Sequence, residues 1–91
     1  MNLGDVLSRI KAYYGGDVIN NLNTCKKYKK HVYARMVVSY YLKNKENYSL
    51  TKIASFLKIH ITAISHYLKK YDDEYEYNKE FRNFADKVLK E

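Results

Sequence analysis

Ninety-one residues, 46% of them hydrophobic, supply one domain with a modest core and leave no room for a second. The chain has no proline, three glycines and no run of about 18 apolar residues, so neither a sheet rich in proline turns nor a membrane-spanning helix is expected. The net charge of +7 is uneven: residues 1–71 carry 13 Lys/Arg against 3 Asp/Glu, and residues 72–91 carry 4 against 7. That asymmetry argues for a polyanion near the first three-quarters of the chain, and nucleic acid suits it better than a membrane because the cations are not gathered on one amphipathic helix.

In chain order, Leu3, Val6, Leu7, Ile10, Tyr13 and Tyr14 follow helical spacing, and Gly15-Gly16 then offers the permissive backbone that ends a helix. Asp17 is placed to cap a brief turn, DVINNL. Lys26, Lys27, Lys29 and Lys30, with Tyr28 among them, form the densest cationic cluster. A basic segment of this kind can follow a phosphate backbone, and an ordinary solvated linker has the same composition. The single Cys25 excludes an internal disulfide and fits a reducing, cytoplasmic setting; no signal peptide is expected.

Residues 31–44 are apolar around most of a helical cylinder, which predicts a central helix. One polar strip at four-residue intervals, His31, Arg35, Ser39 and Lys43, is expected to face solvent and to display Arg35 beside the lysine cluster. Residues 49–71 then read as a helix-turn-helix. Ser49 is a good N-cap, with Leu50, Ile53, Ala54 and Leu57 on one face, and Lys52 stands where a capping box would need Glu.

The second of these helices is expected to begin near His60 to Thr62 and to bury Ile61, Ile64, Leu68, Tyr71 and Tyr75. Its opposite face carries Thr62, Ala63, His66, Lys69 and Lys70. Short side chains near the start and cations further on are what a helix entering the major groove needs, and a merely solvated face would show the same pattern. Asp72, Asp73, Glu74 and Glu76 follow at its C-terminal end, where they oppose the helix dipole and would repel DNA. Asn78 is placed to cap a last helix through Phe81, Phe84, Ala85, Val88 and Leu89. The expected fold is all-α, a small helical bundle containing a helix-turn-helix.

His31, His60 and His66 lack the spacing of metal ligands, and no nucleophile has an evident base, so no enzyme, metal or cofactor is expected. With eleven tyrosines, a protein-interaction module using Tyr-rich and acidic surfaces is the alternative to DNA binding.

Four segments in order resemble the C-terminal DNA-binding domain of the bacterial replication initiator DnaA: VLSRIKAYYGGDVINNL, KKYKKHVYARMVVSYYL, YSLTKIASFL, and a reading helix with His66 ahead of the Lys69-Lys70 pair. The resemblance implies Arg35 as a minor-groove base reader and Lys27, Lys29, Lys30, Ser39, His66 and Lys70 near phosphates. It also implies further major-groove contacts from Leu50 and Thr51. Where the family opens its reading helix with Asp-His-Thr-Thr, this chain has His60-Ile61-Thr62-Ala63, and Leu57-Lys58-Ile59 replaces the family's Gly-Gly turn. His60 is a donor or acceptor by tautomer and Ile61 suits only a thymine methyl, so the initiator's own site is not expected to be the target. No phosphate-binding Gly-x-x-x-x-Gly-Lys-Ser/Thr loop is present, so this chain alone is no ATP switch. The resemblance therefore implies a double-stranded DNA partner and a role in replication initiation or transcription control. The chain would act in the bacterial cytoplasm as a phage-type stand-alone protein or as a domain of a longer one, binding as a monomer or a homodimer.

Overall fold

The computed structural model describes residues 1–24 and 28–90. Cys25, Lys26 and Lys27, on which part of the sequence reading falls, lie outside them. Six helices follow in order: α1 Leu3–Tyr14, α2 Gly16–Asn20, α3 Lys29–Asn44, α4 Leu50–Leu57, α5 Ile61–Tyr77 and α6 Lys79–Leu89, with no strand among the described residues. The all-α bundle expected from the sequence is the observed fold.

Local chemistry explains most of the boundaries. Asn2 and Asp5 close a reciprocal capping box on α1, each side chain accepting from the other's backbone N–H at 3.0 and 2.9 Å. The helix stops at Gly15, whose φ of 97° a residue with a Cβ rarely adopts. Asp17 does not cap α2: Gly15 occupies that position without a side-chain bond. The Asp17 carboxylate instead accepts from Asn21 and lies 3.4 Å from His31 Nε2. Asn78 caps α6 as expected, its side-chain oxygen accepting from the Phe81 N–H, while its amide donates to Tyr33 and Glu74. Arg9 on α1 donates to the Val88 carbonyl and pins α1 to the end of α6.

Helix α3 is the hub, in contact with every other helix. That arrangement overturns one sequence expectation. Of the polar strip on α3, His31 and Arg35 are 1% exposed and Ser39 is fully buried, so only Lys43 faces water. The middle of a helix packed against five others has no side left for solvent, and its polar residues go inside with the apolar ones. The core around it includes Val6, Ile10, Met36, Leu42, Ile53, Ile64 and Phe81. Tyr33 and Tyr41 are buried there, as is Tyr71, expected inward from its periodicity, and Tyr40 stacks on Tyr71 with ring centroids 3.8 Å apart. Among the described residues no helix is long and apolar enough to cross a membrane.

Candidate nucleic-acid interface

The turn between α4 and α5 sets the start and direction of α5. The Ser49 hydroxyl accepts from the Lys52 N–H at 3.1 Å and starts α4. At its other end Lys58 takes the left-handed conformation, φ 55°, and the N–H groups of Lys58 and Ile59 both donate to the Ala54 carbonyl. This Schellman-type closure is normally the work of glycine. The chain then re-enters helix at His60, whose Nδ1 accepts from the Thr62 N–H at 3.1 Å. The bond uses Nδ1 as an acceptor, so a neutral ring carries its proton on Nε2 and keeps that N–H for an outside partner.

From there α5 exposes His60, Ile61, Thr62, His66, Lys69 and Lys70, with Ala63 half-buried. Ile61, expected from periodicity in the buried stripe, is 38% exposed: it lies at the first position of the helix, beyond the reach of the packing that covers Ile64. Thr62, Ser65, His66 and Lys69 line a shallow depression of about 350 Å³ together with Ile61. Ser65 is the residue the sequence reading left out. It lies one turn after Thr62 on the same face, and that spacing was the signal for it. The first turn of α4 adds exposed Thr51 and half-buried Leu50. The acidic residues of α5, with Asp72, Asp73 and Glu76 exposed, sit in its second half, so charge along the helix runs from neutral through cationic to anionic.

The described end of the basic segment is helical. Lys29 and Lys30 form the first turn of α3, which starts at Tyr28 without a side-chain cap and carries no acidic residue of its own in that turn. Cations at that end oppose the helix dipole by roughly 0.3–1 kcal/mol each. Lys29 has relief from Glu80 of α6, at 2.8 Å, which also holds its ammonium above the usual lysine pKa through hydrogen bond and charge. Lys30 is exposed, and Tyr28 beside it is 67% exposed.

Two residues named for DNA contact are not at the surface. Arg35 lies inside the bundle, its Nε donating to the Leu22 carbonyl at 3.2 Å and its Nη1 to the Tyr67 hydroxyl at 3.3 Å. The Ser39 hydroxyl is buried without a hydrogen-bond partner among the described residues. The cause is the position of α3 as the hub, which converts its outer strip into core. Lys27 falls outside the described residues, and among those described no three His, Cys, Asp or Glu side chains converge as a metal site. The chain matches no family model, no curated protein and no solved structure.

Proposed function

We propose that this chain is a sequence-preferring double-stranded DNA binder that lays the first half of α5 in the major groove, a DnaA-like helix-turn-helix protein of replication initiation or transcription control. One observation carries the reading: a tightly closed α4–turn–α5 unit exposes Thr62, His66, Lys69 and Lys70 on one helix start, with the acidic residues kept to the other end. Small polar groups can approach base edges, and Lys69 and Lys70 can meet phosphates on the flank. Lys30 at the start of α3 adds a cation at a helix N-terminus that no side chain caps, a pairing that favours phosphate. Arg35 and Ser39 are not part of this surface.

The test is selection of the purified chain on random duplexes at two salt concentrations. An enriched motif that degrades in Thr62→Val and His66→Ala supports the reading; no binding at low salt refutes it. A protein-binding reading rests on a separate surface, where Asp73, Glu74, Tyr77 and Glu80 line a second shallow depression and Tyr77 is 80% exposed. That surface fits a cationic partner, and binding of such a partner would survive loss of Lys69 and Lys70.

A further inference from the structure

Arg35 is among the largest fully buried side chains in the bundle. Removing a guanidinium from water is costly even after relaxation, so its bonds are the place to look for its role. Two of them run to different elements. One acceptor, the Leu22 carbonyl, lies in the connection that carries the basic segment between α2 and α3. The other, the Tyr67 hydroxyl, lies on α5, immediately after His66 and one turn after Ala63. These acceptors are 13 and 32 residues away from Arg35 in the chain. A planar fork with donors in fixed relation can hold both at once, whereas a lysine ammonium on a flexible stem has no such geometry.

We infer that Arg35 is a positioning residue that locks the rotation of the reading helix α5 to α3 and to the Leu22 carbonyl ahead of it, so that the phosphate contact of Lys30 and the base contacts made by α5 share one register. This inference rests on the DNA reading for its consequence. Its geometry rests on the two bonds alone. An α5 freed from the connection still meets DNA through its lysines. It no longer presents Thr62 and His66 in a single orientation, so the loss falls on discrimination and not on general affinity.

The decisive variant is Tyr67→Phe, which removes only a hydroxyl from a half-buried ring, with Arg35→Lys beside it. Both are expected to lower the ratio of affinity for a selected duplex over a random one by roughly 2- to 30-fold, the range seen when residues touching neither ligand alter a coupling. The salt slope should stay at its parental value. Were Arg35 itself a groove or phosphate contact, Arg35→Lys would keep most binding and Tyr67→Phe would leave the ratio unchanged; that result overturns the inference.

A second measurement needs no DNA. Amide hydrogen exchange of the free Tyr67→Phe chain should quicken at Leu22 and Thr24, whose N–H groups are hydrogen-bonded to Ile19 and Asn21, as well as in the first turns of α5. Change confined to the neighbourhood of residue 67 overturns the coupling. A parent chain that enriches no duplex refutes the DNA reading by itself, and the exchange result still decides whether Arg35 joins the two elements.

Discussion

Replacing Lys69 and Lys70 together by alanine separates a DNA-reading face from a solvated one. Both side chains are exposed on α5 and neither has an acidic partner among the described residues, so their removal should leave unfolding free energy within about 0.5 kcal/mol of the parent. Each neutralised phosphate contributes about −0.9 to the slope of log affinity against log salt. With Lys30, Lys69 and Lys70 each on one phosphate, the slope is about −2.7, and raising salt from about 50 to 200 mM weakens binding roughly 40-fold. The double variant keeps one of these contacts, a slope of about −0.9, and loses only roughly 3- to 4-fold over the same interval. Any further phosphate contact adds to both slopes alike, so the difference of about 1.8 is the quantity tested. Fluorescence anisotropy of a labelled duplex across a salt series reads it, with Lys87→Ala on α6 as the control that should not move the slope. Equal slopes for the parent and the double variant would refute the placement of α5 against phosphate.

Three further outcomes follow from the geometry. Lys58→Gly should stabilise the fold by about 1 kcal/mol, because the left-handed cap costs a residue with a Cβ roughly that much; thermal melts should rise by about 4–8 °C, and no rise would mean the turn is not held at φ 55°. Ser39→Ala removes a buried hydroxyl that lacks a partner among the described residues, so it should be neutral or stabilising by about 1 kcal/mol in denaturant titration and leave DNA affinity unchanged; a loss of affinity would return Ser39 to the interface. The Tyr14 phenol is raised from 10.0 to about 12, first by burial and then by Glu80 and the neighbouring tyrosines, and burial raises Tyr71 in the same direction. A folded-state value above the unfolded one gives stability that is complete below pH 10 and lost as pH climbs through about 12. Denaturant midpoints should therefore fall over that interval, and Tyr14→Phe should flatten part of the fall.

Much of the fold was legible because its signals are local. Residues three and four apart share a helix face, so Val6 with Ile10, Ile53 with Leu57, and Phe81 with Phe84, Ala85 and Val88 announced buried stripes without knowledge of what covers them. Ser49 and Asn78 announced helix starts because a cap bonds to an N–H three residues on. The exposed half of α5 was legible for the same reason: once Ile64 and Tyr71 are assigned inward, Thr62, His66 and Lys69 have to point out.

The sequence by itself determined the helical class, the position of the turn, the caps at Ser49 and Asn78 and most of the outward face of α5, since each follows from contacts within one or two helical turns. Only the tertiary structure decided what α3 does with its polar strip. On a helical wheel His31, Arg35 and Ser39 line up as a face for water, and nothing within the helix says that it will be enclosed on all sides. The acceptors that bring the Arg35 guanidinium inside come from Leu22 and Tyr67, distant in the chain and adjacent only after α2, α3 and α5 pack. Lys29 shows the same limit: counted along the chain it belongs to a free cationic cluster, and in the fold it belongs to Glu80, 51 residues away. Periodicity records which side chains share a face, and the docking of the other helices decides whether that face meets solvent, a partner or the core.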